Sequence, residues 1–158
     1  MTSPSVAGLP LAVSVGEPSG IGPDLVLTCH RDRALFNLAP FFTVADVDML
    51  QSRAARLGID ISIAAIDRPE DAVAVFPAAL PVLPLENRHE DAPGATNPAN
   101  AAGTIESIER ATRYALEGRA AALVTAPIEK KALYDAGFDH PGHCLLYTSP
   151  SPRDQRGS

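Results

Sequence analysis

Apolar and polar positions along the chain follow two alternating periods. Leu11-Ala12-Val13-Ser14-Val15 is a short apolar run broken by Gly16, the pattern of a buried strand bounded by turn residues. The stretch Gly16-Glu17-Pro18-Ser19-Gly20-Ile21-Gly22-Pro23-Asp24 comes next. Residues 25–38 then carry apolar side chains at helical spacing and stop ahead of Pro40. Phe41-Phe42-Thr43-Val44-Ala45 predicts a second buried strand, and Asp46 is placed to cap a helix that Gly58 closes. Residues 59–66 predict a third strand, with Ile59, Ile61 and Ile63 alternating.

The middle of the chain is less regular. Residues 73–76 read as a further short strand, and Val82-Leu83-Pro84-Leu85 as an extended piece that proline keeps at a sheet edge. The clearest helix spans 99–117, with Ile105, Ile108, Ala111, Thr112 and Ala115 on one face and Gly118 at its end. Residues 120–125 predict a buried parallel strand. Pro127 breaks that strand, and a short helix follows over 129–136, closed by Gly137. Strands alternating with helices predict an α/β fold with a doubly wound sheet, where ligands sit beyond the carboxyl ends of the strands.

Composition narrows the partners. A chain of 158 residues that is 46% hydrophobic can bury a core as one α/β unit. Its formal charge of −6 argues against a nucleic-acid partner, because no basic stripe neutralises phosphates. Cys29 and Cys144 suggest neither a disulfide framework nor a zinc knuckle, and Cys29 reads as a small buried hydrophobe. No signal-peptide pattern opens the chain and no run reaches the length of a membrane span, so no membrane partner is expected. A reducing cytoplasm is the expected location.

Several residues could carry chemistry. In the 16–24 turn, Gly16, Gly20 and Gly22 permit unusual backbone angles and close approach, while Pro23 and Asp24 suit a first helical turn. The turn lacks both the lysine of a phosphate-binding P-loop and the spacing of the dinucleotide fingerprint. A packing turn and an anion seat both fit it. Lys130 and Lys131 follow a strand-to-helix junction, where a lysine can hold a phosphate as a point charge or sit solvated. His140 and His143 flank a Pro-Gly turn, but metal sites need three or more ligands, and a hydrogen-bonding loop histidine is the simpler reading. Glu17 and Asp24 read as exposed or capping. His89 has no nameable partner, and His30-Arg31-Asp32-Arg33 reads as a charged helix end. From Leu145 the apolar period vanishes. Residues 145–158 read as a disordered, non-native tail similar to translated adapter sequence, leaving 1–144 as the protein proper.

Three ordered segments carry a family resemblance. Val15 through Asp24 resembles the opening motif of the 4-hydroxythreonine-4-phosphate dehydrogenases of vitamin B6 synthesis. Val124-Thr125-Ala126-Pro127-Ile128-Glu129-Lys130 is similar to their second motif. Tyr134-Asp135-Ala136-Gly137-Phe138, with Pro141-Gly142-His143, resembles the third.

The resemblance implies the N-terminal part of a two-domain α/β/α enzyme of the isocitrate and isopropylmalate dehydrogenase type. Such an enzyme works as a homodimer with its site in the interdomain cleft. The implied reaction is NAD-dependent oxidation of 4-phosphooxy-L-threonine, a small phosphorylated hydroxy-amino acid, with loss of carbon dioxide to an amino-ketone phosphate. A divalent metal (zinc, magnesium or cobalt) would polarise the reacting oxygen. The family's first metal histidine falls on His143 and its substrate contacts on Glu129 and Lys130; no catalytic or cofactor residue is assigned within this chain.

Two departures stand out. Glu129 replaces a neutral or imidazole side chain, and Cys144-Leu145-Leu146 replaces the family's Thr-Glu-aromatic continuation. Family members are also longer, so two metal histidines, most of the cofactor site and other substrate contacts would lie beyond residue 158, and the chain alone is expected to be inactive. Alternatives are a relative acting on a threonate or erythronate phosphate or on a dihydrodiol carboxylate, and a non-catalytic phosphate-binding module of flavodoxin-like form.

Overall fold

A computed structural model describes residues 8–128. Within them five parallel strands form one sheet in the order β3-β4-β2-β1-β5. The strands are β1 (Leu11–Ser14), β2 (Phe41–Ala45), β3 (Ile63–Ala65), β4 (Leu80–Pro84) and β5 (Leu123–Thr125). The helices are α1 (Gly22–Arg31), α2 (Val47–Leu57), α3 (Ala72–Val75) and α4 (Ala101–Leu116).

The order follows from the handedness of parallel crossovers. The steps from β1 to β2 and from β2 to β3 run one way across the sheet, and the steps to β4 and β5 run the other. Right-handed connections therefore put α1 and α2 on one face and α3 and α4 on the opposite face. Alternating side chains of β1 and β2 serve both layers. Val13, Phe41 and Ala45 pack with Val26, Leu27, Met49 and Leu50 on the first face. Ala12, Phe42 and Val44 pack with Ala72, Leu83 and Ala111 on the second.

Local chemistry sets the helix ends where the pattern was strongest. Asp46 accepts a hydrogen bond from the amide of Met49 at 3.0 Å, and Gly58 closes α2 with φ of +65°. A cap of this kind contributes about 1 kcal/mol.

Five expectations need correction. Helix α1 starts at Gly22 and ends at Arg31, with turns rather than helix up to Asn37. Residues 73–76 lie in and just past α3, because Pro69 and the acidic Glu70-Asp71 start a helical turn there. Strand β3 has shrunk to three residues at the sheet edge. Cys29 is exposed, since it lies on the outer side of α1 while His30 faces inward.

The fifth concerns β4, which is an interior strand between β3 and β2 despite Pro81 and Pro84. Alternate residues of a parallel strand address alternate neighbours: Leu80 N–H donates to Ser62 on the β3 side and Leu85 N–H to Ala45 on the β2 side. Pro81 therefore lacks its donor toward β2, one residue before that pairing opens at Val82. Pro84 lacks its donor toward β3, past the last paired residue there. Neither proline breaks a ladder bond.

Candidate functional site

The carboxyl ends of β1 and β5 lie side by side, with Val13 opposite Val124 and Ser14 opposite Thr125. Sequence order turns outward here, to β2 on one side of β1 and β5 on the other, and such a point in an α/β sheet opens a crevice. The 16–24 turn leaves β1 and Ala126-Pro127-Ile128 leaves β5. Between them opens a cleft of about 390 Å³ lined by Glu17, Ser19, Gly20, Ile21, Gly94, Thr96, Pro127 and Ile128.

Two glycines let the walls close on each other. Gly16 has φ of +76°, and a Cβ there would lie 2.5 Å from the carbonyl oxygen of Pro127 and 3.1 Å from Ala126 Cβ. A Cβ on Gly22 would collide with the carbonyl oxygen of Val15 and would touch Ala126. The close approach these glycines allow is thus that of the chain's own second motif, held also by Ala126 N–H donating to Ser14 at 3.1 Å. Two segments a hundred residues apart in sequence form one packed unit.

Arg53 sets the shape of the turn from beneath. It projects from the buried stripe of α2 that includes Met49, Leu50 and Ala54, and its side chain is 1% exposed. Its guanidinium donates to Asp24 at 2.5 Å, to the Gly20 carbonyl at 3.3 Å and to the Pro18 carbonyl. The remaining side of the fork meets Asp91 at 2.6 Å. Asp91, 6% exposed, also accepts from Arg56 at 3.1 Å. Burial opposes the charge on Arg53, but its hydrogen bonds to Asp24 and Asp91 outweigh it and hold the group above its ordinary range. Burial likewise pushes Asp91 up, and the two arginines bring it below the ordinary carboxylate value. Gly94 N–H donates to the Ser19 carbonyl at 2.8 Å, so the loop carrying Asp91 is tied to the turn twice.

Two further side chains fix the surroundings. Ser107 of α4 accepts from the Val15 amide at 3.2 Å and donates to the Val44 carbonyl at 2.6 Å, joining β1 and β2 where they diverge. His89 is 6% exposed, its backbone N–H donates to Asp46 at 3.2 Å, and its ring fills the space over Gly103. Burial pushes its imidazole down to about 4, so it is neutral at pH 7. His30, 1% exposed, lies within hydrogen-bond distance of the Phe76 carbonyl at 3.0 Å between Phe41 and Phe76, and burial lowers it too. His30 does stand in the last turn of α1 and His89 in a loop, but both side chains are buried in the core.

The sequence reading missed Arg53. The signal was available: an arginine at i+3 and i+4 from Leu50 and Met49 lies on an apolar stripe, where a buried charge requires acidic partners.

Glu129, Lys130 and His143, the candidate substrate and metal residues, lie outside the described residues, as do the 129–136 helix and residues 145–158. What the structure places is the segment leading into them: Pro127 and Ile128 enter the cleft directly ahead of Glu129 and Lys130. Among the described residues no three His, Cys, Asp or Glu side chains converge on a possible metal position. The described part does not fit a metal site. It does bring a carboxylate to the cleft, since Glu17, 5% exposed, is among the lining residues. No described helix is long and apolar enough to cross a membrane.

Comparison with known proteins decides the family. The model described as pyridoxal phosphate biosynthetic protein PdxA matches residues 37–152. The chain belongs to this family. A 4-hydroxythreonine-4-phosphate dehydrogenase from Methylorubrum populi is 42% identical over 149 residues, which cover 93% of this chain and 42% of the relative. One from Xanthobacter autotrophicus is 38% identical over 151 residues, covering 96% and 43%. The crystal structure of the Klebsiella pneumoniae 4-hydroxythreonine-4-phosphate dehydrogenase superposes with a TM-score of 0.71 at 31% identity, over 88% of this chain and 43% of that one. The chain thus spans about two fifths of the length of the relatives it matches. The α/β dehydrogenase fold expected from the three motifs is the fold observed, and its relatives are dehydrogenases of vitamin B6 synthesis by name.

Proposed function

We propose that this chain supplies the first-domain wall of a 4-hydroxythreonine-4-phosphate dehydrogenase. The intact protein oxidises the secondary alcohol of 4-phosphooxy-L-threonine with NAD, and the resulting 3-oxo acid loses carbon dioxide to an amino-ketone phosphate. The observation carrying this reading is the junction of the first two family motifs into one packed cleft wall at the β1–β5 crevice, in a chain 42% identical to an enzyme of that name.

The chemistry of the described residues is that of positioning. The clamped turn and Pro127 hold the cleft wall that precedes Glu129 and Lys130 in the chain, and the aliphatic Ile21 and Ile128 line the cleft. Lys130 takes the substrate phosphate as a point charge, and His143 contributes one ligand to a divalent ion completed by the rest of the protein. In this reading the homodimer and the second domain complete the site, so the 158-residue chain alone turns over nothing.

The test is NADH formation from 4-phosphooxy-L-threonine with a divalent ion present. The protein extended to the length of its relatives is expected to form NADH, and Lys130→Ala to raise KM at least about tenfold, as expected for a lost charge-assisted phosphate contact. Turnover of a phosphorylated sugar acid in preference would replace the substrate assignment. Turnover by the 158-residue chain would defeat the division of labour proposed here.

A further inference from the structure

Residues 86–97 leave β4 for the turn ahead of α4 and give the cleft wall Gly94 and Thr96. Among the described residues, none of their side chains joins the apolar clusters that hold the sheet to its helices. Polar ties hold this loop instead. Glu106 of α4 accepts from the amides of Glu86 and Asn87, both at 2.9 Å. Asp46, at the head of α2, accepts from the His89 amide at 3.2 Å. Asn100 accepts from the Glu90 amide at 2.7 Å and donates to the Glu90 carbonyl at 3.0 Å. Asp91 meets Arg53 and Arg56, and the Gly94 amide reaches the Ser19 carbonyl.

The His89 ring is the part of this loop that enters the interior. It lies so close over α4 that a Cβ on Gly103 would come within 2.6 Å of it. Its Nε2 is 3.4 Å from Thr104 Oγ1, while its Nδ1 is sealed from water and has no partner among the described residues. Asp46 and Glu106 are the charged groups that face it. Both are already engaged, Asp46 by the amides of Met49 and His89 and Glu106 by Arg110 and the two loop amides. A neutral ring tolerates an idle Nδ1 lone pair. An imidazolium has donors on both nitrogens, and in this position the Nδ1–H finds no acceptor.

We propose that residues 86–97 form a strap that opens as one unit while the sheet stays folded, taking Gly94 and Thr96 off the cleft wall, and that the His89 ring is its latch. Hydrogen bonds without apolar burial make a segment of low local stability, because water replaces each of them when it opens. Opening also withdraws Asp91 from Arg53, so the width of the cleft and the firmness of the 16–24 turn change together. Protons favour the open strap. The ring binds one more readily once it leaves the interior, between its folded value of about 4 and its ordinary 6.5. The carboxylate ties act in the same direction further into acid. Burial pushes Glu106 and Asp91 up, but the loop amides and Arg110 hold Glu106, and Arg53 and Arg56 hold Asp91, below the ordinary carboxylate range when the strap is closed. The strap is independent of the dehydrogenase reading.

The test is amide hydrogen exchange of the 158-residue chain, followed by NMR in urea below the unfolding transition. The amides of Glu86, Glu90 and Gly94 are expected to exchange through an opening that is nearly independent of urea and at least about tenfold more frequent than that of the β2 amides. Between about pH 7.5 and 5.5, with intrinsic exchange corrected for, the opening constant of the strap should rise about tenfold. His89→Gln, which cannot take up that proton, should hold it constant. Asn100→Ala removes both bonds to Glu90 and should raise the opening constant at least about tenfold at pH 7.5. Strap amides that share the urea dependence and opening frequency of β2 overturn the strap, as does unchanged protection in Asn100→Ala. A wild-type opening constant that is flat with pH, or an equal rise in His89→Gln, overturns the latch.

Discussion

The 16–24 turn and the 126–128 segment face each other across one cleft, but they are held differently. The turn is clamped by a guanidinium that is 1% exposed and engages Pro18, Gly20, Asp24 and Asp91. The opposite wall leaves an edge strand of three residues, β5, in which Val124 is 46% exposed and Leu123 is half-buried. Its anchorage is backbone fit: Ala126 and Pro127 lie in the space that Gly16 and Gly22 leave open. A buried charge fixes direction, because every donor of the fork must find its acceptor. A glycine contact fixes only distance. The turn therefore keeps the shape that Arg53 imposes, whereas the second wall takes its position from β1 and the turn's glycines.

The largest test of this contrast removes the clamp. Arg53→Met keeps the volume but leaves the Pro18 and Gly20 carbonyls without this donor and Asp91, 6% exposed, with Arg56 as its remaining arginine. Breaking a buried pair by deleting one partner costs about 3–5 kcal/mol. A fall of that size in urea stability is expected. A fall within about 0.5 kcal/mol would show that the turn holds without Arg53.

An effect somewhat smaller is expected from pH, acting through the loop that carries Asp91. His89 is held down to about 4 by burial, against an ordinary value of 6.5. Its folded value is the lower one, so the unfolded chain binds the extra proton between these limits. Stability is complete above about pH 6.5 and declines as pH falls toward 4, by about 3 kcal/mol in all. His30 is shifted in the same direction by burial and adds to the slope. The lowered carboxylates, Asp91 among them, lose their contribution only further into acid. Urea midpoints measured from pH 7.5 to 4 should show the decline, and His89→Gln should flatten it. A flat profile in the wild type would place a proton on the buried ring.

The smallest effects concern the second wall. Gly22→Ala sets a methyl against the Val15 carbonyl and the Ala126 side chain. Overpacking of this kind costs about 1–3 kcal/mol. Val124→Thr, on the exposed edge, should stay within about 0.5 kcal/mol. If thermal denaturation reversed that order, the edge strand rather than the glycine contact would hold the wall.

Much of the scaffold could be read from local pattern. Asp46 and Gly58 bounded α2 correctly, and the apolar runs marked β1 and β2. Residues 73–76 misled because four apolar residues fit a buried helix turn as well as a strand, and Pro69 decided for the helix. Pro84 misled because proline excludes only one donor, and the side that donor faces depends on register. Glu17 looked like a solvated turn residue, but it is 5% exposed in a cleft that it lines with Pro127 and Gly94, which are distant in sequence.

The sequence by itself determined the α/β class, the elements with strong period and caps, and the three ordered motifs that mark the family. These are properties of neighbouring residues, encoded by spacing and backbone preference. Only the tertiary structure decided that Gly16 and Gly22 receive Ala126 and Pro127. It alone turned Arg53 under the turn and left Glu17, Ser19 and Ile21 on the wall of the cleft. Those facts depend on which distant groups meet in a low-dielectric interior, where an unpaired charge or a misplaced methyl costs several kcal/mol and a single arrangement survives.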